Sequence, residues 1–251
     1  MPKRRLDDWL SSYLEYTDIS ESPVSYHTWA GISCIAASLE RKVYMEWGQS
    51  TIYPNFYIVL IGPSGQARKG EPIDIARWIL EQLNLTIVEE DITQEALIKK
   101  LNDSQITFMD NTDRRLKWQA PAMVCAEELS VFTGYQNHTF LAYLTNWFDS
   151  RSKWSRRTKH MGDESIHGIC LNMLTSTAPD WLPHILTREA VGGGFTSRCI
   201  FVVEHGKRRS IALPERPNLN LRRDLIHDLE IIHYLNGKAE FDAEATETYA
   251  A

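Results

Sequence analysis

The stretch Gly62-Pro63-Ser64-Gly65-Gln66-Ala67-Arg68-Lys69-Gly70 carries the residue types needed to grip a phosphate. Glycines let backbone N–H groups approach an anion, the start of a helix adds more of them, and a lysine neutralises charge. The stretch follows the apolar run FYIVLI (56–61), and Pro72 stands in the first turn of what comes next. That pattern predicts a strand buried on both faces, a turn, and a helix over 71–83. The match to G-x-x-x-x-G-K-[ST] is inexact. Counted strictly from Gly62, Ala67 replaces the second glycine, Arg68 takes the lysine position and Lys69 the hydroxyl position. With one extra loop residue, Lys69 becomes the lysine, Arg68 its neighbour, and Gly70 takes the hydroxyl position. Neither register supplies a hydroxyl for Mg2+. Lys69 is the preferred lysine, because an ammonium on a flexible stem is the usual point charge at such a site. A plain strand-turn-helix corner is the alternative reading of the same residues.

Three further segments carry chemistry. AMVCAEEL (122–129) is an apolar strand pattern ending in Glu127 and Glu128. One carboxylate can hold a metal and the other can orient and deprotonate a water; chain order gives Glu127 the metal and Glu128 the water. LNMLTSTAPDW (171–181) ends an apolar run with Thr175, Ser176 and Thr177, which predicts polar side chains at a strand-end crevice. Arg198 follows a glycine-rich bend and precedes the strand pattern CIFVVE (199–204). From there it could reach a phosphate in its own subunit or in a neighbour's. Residues 151–160, RSKWSRRTKH, hold five Arg/Lys with a Trp and a His. Basic side chains suit phosphates and aromatics suit stacked bases, so Arg156, Arg157, Lys159 and His160 are candidate nucleic-acid contacts on a hairpin turning at Gly162-Asp163. A solvated basic loop is the plainer alternative. His167, His184 and His205 lack metal-ligand spacing, and Trp78, Trp147 and Trp181 read as core.

The elements that must position these residues alternate. Helices are expected over 5–20, 24–39, 71–83, 94–101, 138–149 and 221–235, and strands over 41–47, 56–61, 86–90, 105–110, 122–129 and 199–204. Residues 48–55 read as a loop and 179–186 as a short helix. Several strands are uninterrupted apolar runs, which predicts an α/β fold with a mainly parallel central sheet. The chain divides into a helical segment (1–50), a core (51–213) and a C-terminal helical segment (214–251). The last residues look like a strand and a barely started helix, the expected ending of a piece of something longer, with a short terminal helix as the plainer alternative.

Taken in order, ASLERKVYMEWGQSTIYPNFYIVLIGPSGQARKG, VCAEELSVF, LNMLTSTAPDWLP and GGGFTSRCIFV resemble a P-loop ATPase family of phages and mobile elements, the primase/helicase-like replication proteins. The resemblance implies a RecA-like or AAA+-type P-loop core that binds ATP and Mg2+. It implies Lys69 as the loop lysine, Glu127 and Glu128 as the acidic pair, Ser176 or Thr177 as sensor, and Arg198 as arginine finger. It also implies ring assembly, usually hexameric, with ATP between subunits. The basic hairpin is similar to the DNA-gripping hairpin that ring helicases of this class place at that point in the chain. The expected function is an ATP-dependent motor acting on DNA, with the single strand as the expected form by the aromatic content of the basic segment; a loader or scaffold that binds nucleotide without turnover is the alternative. The sequence departs from the family at Gly70 and Glu71, where a Ser or Thr is usual, and that bears on Mg2+ binding more than on nucleotide binding.

Composition sets the outer limits. The 251 residues are 43% hydrophobic and 24% charged, ordinary values for a chain with a proper core. A net charge of -6 excludes wholesale coating of nucleic acid but not a local basic patch. Cys34, Cys125, Cys170 and Cys199 are far apart, which fits buried thiols in a reducing compartment better than disulfides or a zinc site. With no apolar stretch of membrane-spanning length and no apolar signal core, a cytoplasmic location is expected.

Overall fold

In the computed structural model, which describes residues 3–158, 162–185 and 192–250, the run after Phe56 becomes strand β3 (Tyr57–Ile61), with every residue buried. Its side chains alternate between two hydrophobic clusters: Tyr57, Val59 and Ile61 face one, Ile58 and Leu60 the other. A strand with apolar residues on both sides has to lie inside a sheet covered on both faces. Around it stand β10 (Cys199–Val203), β9 (Ile169–Thr177), β6 (Leu116–Ala126) and β4 (Ile87–Val88), in the order β10-β3-β9-β6-β4. All four of these pairings are parallel. β5 (Ile106–Met109) adds an antiparallel partner to the first residues of β6. The fold is α/β with a mostly parallel central sheet flanked by helices.

One face is covered by α1 (Trp9–Thr17), α2 (Val24–Leu39), α3 (Gly70–Leu80) and α8 (Leu219–His233), through residues such as Trp9, Tyr26, Ile73 and Leu225. The other carries α4 (Gln94–Asp103), α5 (Leu129–Thr133) and α6 (His138–Phe148), through Leu97, Phe132 and Trp147. The helices start where side chains can cap them: Asp8, Thr93 and Asn137 each accept from a first-turn N–H. The N- and C-terminal helical segments therefore share one interior with α3 and the sheet. Among the described residues no helix is long and apolar enough to cross a membrane. Cys34, Cys125 and Cys170 are buried free thiols, and burial pushes the last two up to about 12.

Several expectations need correction. Residues 48–55, read as a loop, contain β2 (Ser50–Ile52), which pairs antiparallel with β1 (Val43–Trp47) across a turn where Gly48 has φ of 59°. β11 (Gly237–Lys238) extends this small sheet beside β1, and α9 (Ala243–Ala250) follows. β6 begins six residues earlier than its apolar run, because residues 116–119 find a partner in β5. Trp147 is in the core, but Trp78 and Trp181 are 37% and 45% exposed. Trp78 lies on the outer side of α3 under the Arg222 guanidinium, and Trp181 packs against Tyr135 and His184.

His27 makes the fold sensitive to acid. It is 2% exposed, with Nε2 2.9 Å from the Ser20 hydroxyl. Burial, with a smaller contribution from the Arg208 charge, lowers it to about 3. In the unfolded chain it returns to about 6.5, so between those values only the unfolded chain takes up the proton. Stability from this group is complete above pH 6.5 and declines as pH falls toward 3. The expected loss is about 2 kcal/mol at pH 5. His27→Gln should flatten the fall in Tm between pH 7 and pH 5; equal slopes in the two proteins would assign the acid sensitivity elsewhere.

Candidate functional site

The parallel strands end together, and the connection leaving β3 is held tightly at its first residue. Gly62 N–H donates to the Thr177 carbonyl at 3.3 Å, and the Ile61 carbonyl accepts from the Tyr26 hydroxyl and, at 2.9 Å, from Glu204 N–H. A Cβ on Gly62 would lie 2.6 Å from Ala67 Cβ, 2.6 Å from Tyr26 Oη and 2.9 Å from the Glu204 carbonyl. Only glycine fits. Gln66 and Ala67 N–H groups turn back to the Pro63 carbonyl, and Ala67 is fully buried beneath the loop. Gly65 (φ 71°) and Arg68 (φ 51°) then take left-handed conformations. Arg68 is a non-glycine residue in that region, a strained choice that clusters at functional sites. It is the left-handed residue just before Lys69, where the expected motif has its second glycine, so local geometry favours the register in which Lys69 is the lysine.

Lys69 is the N-cap of α3, whose first turn presents N–H groups without helical partners. Its ammonium donates to the Gly62 carbonyl at 2.7 Å, across the mouth of the loop. Burial lowers its pKa from the ordinary lysine value, and Glu128 pulls it back up.

Across from the loop, β6 stops at Ala126 and presents Glu127, exposed, and Glu128, half-buried. Arg77 of α3 donates to the Cys125 carbonyl at 2.5 Å and lies 3.9 Å from Glu90. Glu90 in turn accepts from Glu128 N–H at 3.0 Å, fixing the backbone at the strand tip. Glu128 Oε1 is buried and finds no hydrogen-bond partner among the described residues. Glu127 Oε2 sits 3.3 Å from where a Cβ on Gly70 would be, so this carboxylate faces the place where the motif has its hydroxyl residue. Ser176 donates to the Glu127 carbonyl at 2.6 Å. Ser64, Gly65, Arg68, Lys69, Glu127, Glu128 and Ser176 all line one cavity of about 810 Å³, within the usual range for a small-molecule site. Among the described residues no group of three or more His, Cys, Asp or Glu forms a ready-made metal centre. An unpartnered carboxylate oxygen beside an exposed second carboxylate nevertheless suits a hard cation with oxygen ligands.

The other candidates fall elsewhere. Thr177 is buried, turned to the opposite side of β9 from Ser176, and among the described residues its hydroxyl donates to the Ala178 carbonyl at 3.4 Å. Arg198 stands at the beginning of β10, the end of the sheet opposite the loop, about 16 Å away by strand length. Its guanidinium is held by Asp149 at 2.8 and 3.1 Å and by the Gly194 carbonyl at 3.0 Å. It does not serve the cavity of its own chain. The basic segment does form a hairpin, β7 (Lys153–Thr158) with β8 (Gly162–His167). Gly162 and Asp163, expected in the turn, already pair with Thr158 and Arg157. Lys159 and His160 lie outside the described residues. Trp154 packs edge-on against Tyr143 and Trp147 and so anchors the hairpin to α6. Arg156 lies 3.7 Å from Glu95 and 5.9 Å from the Tyr143 ring, while Arg157 is exposed.

Sequence reasoning missed the cavity's opposite wall, built by Ile19, Glu21, Ile211 and Pro214, and the two further carboxylates, Glu71 and Asp74, that line it from α3. The one available signal was the charge pattern: acids at 18 and 21, and the basic run Lys207-Arg208-Arg209. Compared with models of known protein families and with curated proteins, the chain finds no match.

The close approach at Gly62 is testable. Gly62→Ala should cost about 1–3 kcal/mol in urea unfolding, because Ala67 and the Glu204 backbone cannot both move aside. Adding Ala67→Gly should return part of that loss; strictly additive losses would mean that the two positions do not meet.

Proposed function

We propose that the cavity binds a nucleoside triphosphate, expected to be ATP, and hydrolyses it, and that the fold is of the P-loop NTPase type. The observation that carries this reading is the meeting of three features in one cavity. They are a glycine-bearing loop with Lys69 at its end, an unpartnered buried oxygen on Glu128, and Glu127 facing Gly70. Backbone N–H groups of the loop and of the α3 N-terminus hold the phosphates, and Lys69 leaves the Gly62 carbonyl to neutralise them. Glu128 takes the proton of a water whose oxygen attacks the terminal phosphorus as the bond to the bridging oxygen breaks. Glu127 and the phosphates would hold Mg2+, which supplies charge neutralisation when bound. Ser176 keeps the Glu127 backbone in register with β9. Thr177 has no part in it.

In the larger reading the chain is an ATP-dependent nucleic-acid motor from a phage or mobile-element replication system, with single-stranded DNA as its partner. A ring, as in hexameric motors, is what Arg198 requires, since it can reach a phosphate only in a neighbouring subunit's site. Arg156, Arg157, Lys159 and His160 of the basic segment are then the DNA contacts, and Trp154 packs the hairpin against α6. Gly70, with no hydroxyl, favours a second reading: a loader that binds nucleotide but turns it over poorly.

Equilibrium binding of a fluorescent ATP analogue, with and without Mg2+, tests the first step. Lys69→Ala should lose at least about tenfold in affinity, as expected for loss of a charge-assisted contact. Glu128→Gln should keep binding while losing turnover by about 100-fold or more. Full turnover in Glu128→Gln would remove its proposed role, and binding unaffected by Lys69→Ala would leave only a strand-turn-helix corner.

Gly70→Ser restores the missing hydroxyl opposite Glu127, whose exposed side chain can give way by the few tenths of an ångström required. The variant should keep its Tm and gain several-fold in the Mg2+-dependent part of nucleotide affinity. A gain equal with and without Mg2+ would count against Glu127 as the metal-side carboxylate.

A further inference from the structure

The cavity has two unlike halves. The loop side is rich in N–H groups and charge. The opposite wall is made by Ile19, just after α1, and by Ile211 and Pro214 on the segment after β10. None of these three side chains has a donor or an acceptor.

Glu21 fixes this wall relative to the loop. Its Oε2 accepts from Arg68 Nε at 3.0 Å and lies 3.0 Å from a second Arg68 nitrogen. Its Oε1 accepts from Ile211 N–H at 2.8 Å and from Lys207 Nζ at 3.1 Å. The Glu21 carbonyl accepts from Arg208 N–H at 3.0 Å, and Arg208 also reaches Asp18. One carboxylate thus joins the phosphate-type loop, the turn after α1 and the 207–211 strap. The Ile211 N–H, Lys207 and Arg68 contacts, in that order, hold its pKa at about 2, so it remains ionised.

We propose that Ile19, Ile211 and Pro214 form a nucleobase platform of low base selectivity, and that Glu21 is the positioning residue that sets it against the loop. This rests on the reading of the cavity as a nucleoside triphosphate site. Four donors already occupy the Glu21 oxygens, the Ile211 N–H is spent on Glu21, and Pro214 has no N–H. A base lying there meets apolar surface, with no hydrogen-bonding group offered by these three side chains. Sites that read by apolar contact discriminate weakly, whereas a site built to hydrogen-bond its substrate rejects a mismatch by orders of magnitude. The base therefore adds affinity without setting identity. The same network turns Arg68 toward Glu21, which leaves Lys69 as the loop's cation for the phosphates.

Calorimetric titration of the full chain with ATP, GTP and inorganic tripolyphosphate, in the wild type, Ile211→Ser and Glu21→Gln, tests it. The wild type should bind ATP and GTP within about tenfold of each other, and both at least about tenfold more tightly than tripolyphosphate. Ile211→Ser should bring ATP toward tripolyphosphate while tripolyphosphate itself stays within about twofold. Glu21→Gln should weaken ATP without weakening tripolyphosphate, a split that simple unfolding does not produce. Preference for ATP over GTP by about 100-fold or more, or equal weakening of ATP and tripolyphosphate in Ile211→Ser, would overturn the platform. Equal wild-type affinity for ATP and tripolyphosphate would overturn it too, yet leave the phosphate site standing. A wild type that binds none of the three removes both.

Discussion

The end of β3 is the joint on which the rest of the site depends. At Ile61 and Gly62 a hydroxyl from α2, a carbonyl from β9 and both an N–H and a carbonyl at the end of β10 converge on two successive residues. Side-chain volume there would separate elements that have to touch, so the absence of a Cβ at Gly62 sets the spacing of the whole corner. With that spacing set, Ala67 drops into the core and the loop between them has one way to run. The same joint explains why the N-terminal helices are part of the site. Tyr26 ties α2 to the strand end, and the turn just before α2 carries Ile19 and Glu21 to the cavity.

On that frame sits an unbalanced pair of charges. Lys69 is partly desolvated and satisfied by a single carbonyl, while Glu128 keeps a buried oxygen without a partner. An unsatisfied buried polar atom costs about 1–3 kcal/mol, more when it carries charge. A positive φ at Arg68 adds backbone strain at the same place. Glu40, Arg114, Gln136 and Ser150 also have positive φ, and other buried polar atoms lack partners, so neither feature alone sets the cavity apart. What is particular to it is that both lie beside a lysine and a carboxylate pair in one cavity. In the proposed reading a triphosphate would relieve both sides, accepting from Lys69 and bringing water to Glu128.

Periodic features were legible in the sequence, and pairings over long separation were not. α2 runs over Val24–Leu39 as its apolar pattern predicts, and α6 and β3 match within a residue or two. β2 and the first turn of β6 were hidden because exposed residues such as Leu116 and Trp118 follow no burial period; only their partner strands make them strands. At the site, the loop, the acidic pair and Ser176 were readable because each ends an apolar run. The choice between Ser176 and Thr177 was not, since it depends on which side of β9 faces α3. Glu21 was hard to place for another reason. Its partners stand 47 and 186 residues away or more, and complementary charge in two segments does not by itself say that they meet.

The positions of the two basic features decide what a motor reading demands of this chain. Arg198 lies at the far end of the sheet, bonded to Asp149, so any part it takes at a phosphate has to be intermolecular and has to displace that ion pair. The hairpin is different, because it is tied to the same connection that supports the acidic pair. Glu90 holds the Glu128 N–H, and five residues on, Glu95 meets Arg156 of β7. At 3.7 Å and with Glu95 largely exposed, that pair by itself contributes little. The stronger tie is Trp154, wedged between Tyr143 and Trp147, which makes the hairpin part of the packed face over α6. In the motor reading, the packing of Trp154 on α6 and, more weakly, the Arg156–Glu95 pair are the contacts that would link the basic hairpin to the face carrying the acidic pair, a linkage that a loader binding nucleotide without turnover would not need.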